Sequence, residues 1–260
     1  MAVKPIIANP VFELDSRVGH GLSQGDGTTV INWPDQSGEG NNAPLGDGTP
    51  SYEVDAWSVG IPAVLCLMGE YFDLTGGADL NNTDMTLFFV IEATDITANM
   101  AVIGSASSSS FPRRVTCVVK ADGTIIFNFS AVAPGNCASA PGVIVGGERY
   151  YITLRFSQAT GMIIRVQGVQ VAATPAQLTA QIDIGLFVLG RAKDDNLGLG
   201  NLTGVSKLYG WASSYHSAAS DLEIDQMEAF LVQEFFPFVP PLDTVWGSCG
   251  ADPATLWVDC

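Results

Sequence analysis

Apolar residues along this chain fall into short runs of two kinds, and only once into the spacing of a helix. Ile61 to Met68 and Met85 to Ala93 are nearly continuous in apolar residues, as strands covered on both faces are. Thr124 to Ser130 and Tyr150 to Phe156 alternate instead. In the second, Tyr150, Ile152, Leu154 and Phe156 point one way while Tyr151, Thr153 and Arg155 point the other. Ser157-Gln158-Ala159-Thr160-Gly161 reads as a turn into Met162 to Gln167, so these two strands are adjacent. Val11 to Asp15, Ile182 to Gly190 and Gly204 to Trp211 complete the strands. Helical spacing starts at Ser220-Asp221-Leu222-Glu223, a capping box with Ser at N-cap and Glu at N3, and continues through Ile224, Met227 and Leu231. After Phe236, Pro237, Pro240 and Pro241 stop the helix and open an extended segment carrying Trp246, Trp257 and Val258. The pattern predicts one all-β domain over residues 1–236 with a single C-terminal helix, then a Pro-rich arm over 237–260.

Composition agrees with many short strands joined by turns: 47% of residues are hydrophobic, 15% are charged, and 28 are Gly. With 27 Asp+Glu against 11 Lys+Arg the formal charge is −16, so the chain repels phosphate backbones and anionic membrane surfaces. Neither nucleic acid nor a membrane is expected as a partner. The segment Met1-Ala2-Val3-Lys4-Pro5 has no apolar core of a signal peptide, and no run reaches membrane-spanning length. That pattern favours a protein made in a cytoplasm and built into something larger over a secreted one. Five scattered cysteines without a C-x-x-C pair give no zinc or redox motif. Cys66, inside an apolar run, is expected as a small buried hydrophobe, and Cys249 and Cys260 could close a tail loop under oxidation.

Trp33-Pro34-Asp35-Gln36-Ser37-Gly38-Glu39-Gly40-Asn41-Asn42-Ala43 describes one ordered surface turn. Asp35 and Ser37 can accept from backbone N–H groups just ahead, Gly38 and Gly40 can take positive φ, and Trp33 supplies the anchor. The stretch resembles the W-x-D-x-S-G-x-G-N-x-A segment of laminin-G-like, concanavalin A-like jelly-roll domains, a group common in bacteriophage virion proteins and secreted bacterial proteins. Val166-Gln167-Gly168-Val169-Gln170-Val171 is similar to the V-N-G-x-x-V hairpin of the same group, with Gln167 in place of the commoner Asn. The resemblance spans about residues 9 to 236 and implies a concanavalin A-like (laminin-G-like) jelly-roll sandwich with one C-terminal helix and an extended tail.

Catalytic patterns are scarce. Glu223-Ile224-Asp225-Gln226-Met227-Glu228 matches the E-x-D-x-x-E signature of laminarinase-type glycosidases, where a strand brings the carboxylates to one face. On a helix, at about 100° per residue, Asp225 stands roughly 200° round from Glu223, and the carboxylates are expected to diverge. His20 and His216 sit in no nucleophile-elbow or metal pattern. No catalytic residue is therefore assigned. Asp194 and Asp195, with Asn196 beside them, offer oxygen ligands in a Gly-rich loop and are the candidate calcium site. Trp57, Tyr71 and Tyr215 are aromatics at expected strand ends or loops, where a ring can stack on a sugar while Asn196 bonds its hydroxyls. Trp211, by contrast, is expected to pack in the core.

These readings lead to a non-enzymatic virion protein, decorating a capsid or associated with a tail, that adheres to surface glycans in many copies. Its partners would be other virion proteins, further copies of itself and surface glycans; no cofactor is assigned, and calcium at Asp194 and Asp195 is the one candidate against a solvated turn. The alternatives are a purely architectural cementing protein, and a secreted carbohydrate-active enzyme or carbohydrate-binding module. In the arm, Trp246, Trp257 and Val258 would expose costly apolar area unless they fold back on the sandwich or dock on a partner, and the second cover makes them candidate assembly contacts.

Overall fold

The structure, a computed structural model, describes residues 3–17, 27–74, 84–106, 115–128, 136–175, 186–194, 200–202 and 206–236. It is a β-sandwich of the jelly-roll kind with one C-terminal helix, as the sequence predicts. One sheet has nine strands in the order Val169–Thr174, Gly161–Val166, Arg149–Ser157, Met85–Ala93, Lys207–Tyr215, Ile61–Cys66, Ser51–Ser58 and Thr28–Thr29, with Pro10–Asp15 also paired to Lys207–Tyr215. The facing sheet has eight: Asn136–Ala138, Ile125–Asn128, Thr116–Val119, Met100–Ala106, Leu186–Leu189, Tyr71–Asp73, Ala43–Asp47 and Asn32–Trp33. A small hairpin, Ala192–Asp194 with Gly200–Leu202, stands apart. Every observed pairing is antiparallel. Ile182 to Ile184 and the arm from 237 lie outside the described residues, as do Cys249, Cys260 and His20.

Two cores share the nine-stranded sheet, and this is why its central strands read as continuous apolar runs. On Met85–Ala93, the side chains of Leu87, Phe89 and Ile91 enter the core between the sheets. Phe88 and Val90 face the other way, where the helix covers them with Ile224, Met227, Leu231 and Phe235. Arg149–Ser157 divides as its alternation predicts: Tyr150, Ile152, Leu154 and Phe156 fill the main core, while Thr153 and Arg155 reach the helix. Trp211 is buried in the helix-side core, edge-on to Phe230 at 5.8 Å between centroids.

The helix spans Asp221–Phe235, with Ser220 and Glu223 forming the reciprocal capping box. Arg17 locks its far end to the first strand, pairing with Asp15 and Glu234 and lying 5.4 Å from the Phe230 ring centre. The Trp33 turn is self-satisfied as expected. Asp35 accepts from the amides of Glu13, Ser37 and Asn41 at 2.8–2.9 Å, and the buried Trp33 indole donates to the Asp15 carbonyl at 3.1 Å. Cys66, Cys117 and Cys137 are buried and unpaired, so Cys66 behaves as the small hydrophobe its sequence context suggests. Among the described residues no helix is long and apolar enough to cross a membrane.

Candidate functional site

The aromatics singled out in the sequence are distributed to opposite sides of the sandwich. Tyr215 is no surface ring. The last strand runs past Trp211 to Tyr215 and places that side chain in the helix-side core at 1% exposure, its hydroxyl donating to Glu13 at 2.8 Å. This corrects the expectation that Tyr215 contacts sugar. Trp57 also belongs to the helix side. It crosses over Gly210, where any side chain would overlap its ring, and meets Phe235 edge-on at 6.3 Å. Its ring then takes the Arg149 guanidinium at 5.1 Å, and Phe236 covers the same guanidinium at 4.4 Å. Burial pushes the Arg149 guanidinium down from its ordinary value while the nearby Glu92 carboxylate pulls it up. Arg149 is therefore sealed between two rings, and Trp57 is half-buried packing.

Tyr71 lies on the far face of the other sheet. In Tyr71–Asp73 the middle residue, Phe72, is fully buried against Trp33, so its neighbours Tyr71 and Asp73 both point outward, half-exposed. The partner strand Ala43–Asp47 supplies the floor: a side chain at Gly46 would overlap the Tyr71 ring and touch the Asp73 carboxylate. From above, the Arg191 guanidinium stacks on Tyr71 at 4.8 Å. Burial raises the Asp73 carboxyl, and the Arg191 charge partly opposes that rise. With Gly46 beneath the ring and Arg191 over it, the platform offers a ligand the ring edge, with the guanidinium donors and the Asp73 acceptor beside it. That is the chemistry a sugar ring needs.

Three buried groups hold this platform in place. Glu70, next to Tyr71, accepts from the Thr49 and Leu67 amides at 2.8 and 2.7 Å and so ties two turns together. Gly190, next to Arg191, sits at φ 93°, and a side chain there would press on the Glu70 carbonyl at 3.1 Å and on Lys207 Cε at 3.2 Å. The Gly190 amide donates to Val102 at 3.0 Å, and its carbonyl accepts from the fully buried Lys207 ammonium at 2.8 Å. Lys207 enters the main core opposite Cys66, and desolvation brings its pKa down to about 8. Lys207 and Glu70 thus position Arg191 and Tyr71 from beneath.

Asp194 ends the strand that starts just after Arg191, so the proposed calcium loop begins beside the Tyr71 platform. The Asp194 side chain, Asp195 and Asn196 lie outside the described residues, as do Trp246, Trp257 and Val258. Among the described residues no group of three His, Cys, Asp or Glu side chains gathers to hold a metal. The carboxylates of the E-x-D-x-x-E match do not all diverge. Glu223 caps its helix, but Asp225 and Glu228, one turn apart, both accept from Arg165 at 2.8 and 2.9 Å. Thr153 donates to the other Glu228 oxygen at 2.8 Å, leaving that residue 5% exposed.

Arg191, Asp73 and Lys207 carried no motif. Tyr71-Phe72-Asp73 held the one available signal, polar residues either side of a core aromatic. A lysine in the final strand reads as a solvated strand end until the pairing puts it opposite Cys66.

No protein-family model and no curated protein matches the chain. Solved structures do. It is similar to the binding domain of botulinum neurotoxin DC in complex with SialylT, with TM-score 0.60 and 9% identity over 86% of this chain and 52% of that one. The binding domain of Paraclostridial Mosquitocidal Protein 1 gives TM-score 0.59 and 14% identity over 86% and 52%. Trypanosoma rangeli sialidase in complex with sialic acid gives TM-score 0.60 and 16% identity over 89% and 34%. At these identities the likeness is one of fold. The chain spans about half the length of the two binding domains and about a third of the sialidase chain.

Proposed function

We propose that this chain is a non-enzymatic, lectin-like domain that binds surface glycans through the outer face of its eight-stranded sheet, around Tyr71. The observation that carries the reading is the Tyr71 ring held between Gly46 and Arg191 with Asp73 beside it, on a sheet face turned away from both cores. The shared fold supports it, since two of the similar proteins are described in complex with sialylated or sialic acid ligands. The absence of turnover is supported by how the three helix carboxylates are engaged: one caps the helix and two hold Arg165. The virion setting rests on the sequence resemblance at Trp33 to Ala43 and Val166 to Val171. In it, many copies on one particle would convert weak single-site affinity into retention. Residues 237–260 would then be the assembly arm, through Trp246, Trp257 and Val258.

A glycan array probed with the wild-type chain and with Tyr71→Ala, both displayed multivalently, tests the reading. Binding to a defined set of glycans is expected for the wild type, with loss of about 0.5–1 kcal/mol for Tyr71→Ala, the scale of the cation–π contact by which the ring supports Arg191. Trp57→Ala should leave glycan binding in place, and wild-type binding that survives Tyr71→Ala unchanged would move the site elsewhere. Repeating the array in EDTA tests calcium at Asp194 and Asp195: a loss of signal supports the ion, and an unchanged signal removes it.

A further inference from the structure

We infer that the Tyr71 platform selects sugars bearing a single carboxylate, with the Arg191 guanidinium as the group that reads that carboxylate and Asp73 as the group that limits its affinity. The inference rests on the glycan-binding reading above and names the class of sugar. It starts from where the positive charge goes in a chain of net charge −16. Lys4 pairs with Glu13, Arg17 with Asp15 and Glu234, Arg155 with Asp221, and Arg165 with Asp225 and Glu228. Lys207 is buried on a carbonyl, and Arg149 is closed between Trp57 and Phe236. Lys120 and Arg149 also lack a side-chain hydrogen-bond or ion-pair partner among the described residues, but Nε and Nη1 of Arg149 are buried and Lys120 stands over no ring. Arg191 is half-exposed, its guanidinium lies 4.8 Å from the Tyr71 ring centre, and among the described residues its side chain has neither a hydrogen-bond nor an ion-pair partner.

A guanidinium stacked on a ring keeps its N–H fork in a fixed plane, and that fork matches a carboxylate with two parallel hydrogen bonds. The stacking leaves the edge of the guanidinium for a ligand while the ring supports its face. Asp73 stands two residues from Tyr71 on the same outer face, close enough to feel the Arg191 charge yet not paired with it. It offers an acceptor for a sugar hydroxyl, and its negative charge works against an anionic ligand. Polyanionic sulfated polymers would meet the repulsion of the whole chain as well, which leaves a singly charged acidic sugar as the best match.

The experiment uses the full chain and one oligosaccharide in three forms: sialyllactose, the same molecule with its carboxylate converted to an amide, and lactose. The acid form should bind at least about tenfold tighter than the amide, the scale of a charge-assisted pair of hydrogen bonds. Arg191→Gln should abolish that preference, Arg191→Lys should restore part of it, and Asp73→Asn should tighten binding of the acid form without tightening the amide, with thermal melts unchanged throughout. Equal binding of acid and amide by the wild type, or a preference that survives Arg191→Gln, overturns the inference. So does a sulfated lactose that binds better than the carboxylate. The amide comparison needs no variant to fold. If the array shows neutral glycans held through Tyr71 and no acid preference appears, the glycan-binding reading stands and this inference falls; if no sugar of any kind binds, both fall together.

Discussion

Gln167 adopts φ 50° and Gly168 φ 78°, so both central residues of the turn between Val166 and Val169 are left-handed, the requirement of the tightest hairpin turn. Gln167 stands where the resembled hairpin commonly has Asn, which tolerates the left-handed region better than Gln does. In the structure it is a strained position, offset in part by Gln167 donating through Nε2 to the Arg149 carbonyl at 3.2 Å. Gln167→Asn should raise stability by roughly 0.5–1 kcal/mol, read by urea unfolding. Lys207 gives a second test at this scale. Its pKa is about 8 folded against an ordinary 10.5, so below pH 8 both states carry the proton and the fold bears the cost of a buried charge. Above pH 8 the folded state sheds a proton that the unfolded state keeps, and stability rises. Cys66, pushed up to about 12 from 9.0, and Cys117 and Cys137, also raised by burial, act oppositely once the unfolded thiols ionise, which confines the net gain to the stretch below about pH 8.5. The wild-type Tm should therefore rise from pH 7 to about pH 8.5, and Lys207→Met should abolish the rise. A rise of equal size in Lys207→Met would show that other groups cause it.

The helix is the element whose ends the sequence specifies most fully. Ser220→Ala should cost about 1 kcal/mol, since it removes the hydroxyl that accepts from the Glu223 amide and donates to the Glu223 carboxylate, leaving that carboxylate the backbone N–H of residue 220 alone. A change below a few tenths would mean that packing on Phe88, Val90 and Trp211 alone sets the helix start. Elements with one clear period were legible: Met85–Ala93 and Arg149–Ser157 show both faces of the sheet in their residue order, and the structure uses them so. The last strand was legible only at its beginning. Ser213 and Ser214 read as surface residues, yet both are fully buried, with Ser213 accepting from the Trp211 indole at 2.9 Å. Their burial carries the strand on to Tyr215 and takes that ring out of the candidate site. The platform itself was illegible for a different reason. Gly46, Tyr71 and Arg191 are far apart in sequence, and only the pairing of Tyr71–Asp73 with the strands on either side brings them together.

Across the whole molecule, the nine-stranded sheet is covered on both faces, by the opposite sheet and by the helix, whereas the eight-stranded sheet carries the Tyr71 platform on its outward side. The two ends of the chain's chemistry are thereby separated. Phe236, the last described residue, lies with Arg149 and Trp57 on the helix side, away from the Tyr71 face. Truncation after Phe236 should leave a folded sandwich that keeps glycan binding and loses self-association, read by mass in solution. Loss of folding would place the arm within the core. The most direct test of glycan recognition at this face is chemical-shift mapping of the full chain, its amide resonances followed while a glycan selected on the array is added. Shifts concentrated at Gly46, Tyr71 to Asp73 and Gly190 to Arg191 are the predicted result, and shifts confined to the helix side, around Trp57 and Tyr151, would contradict it.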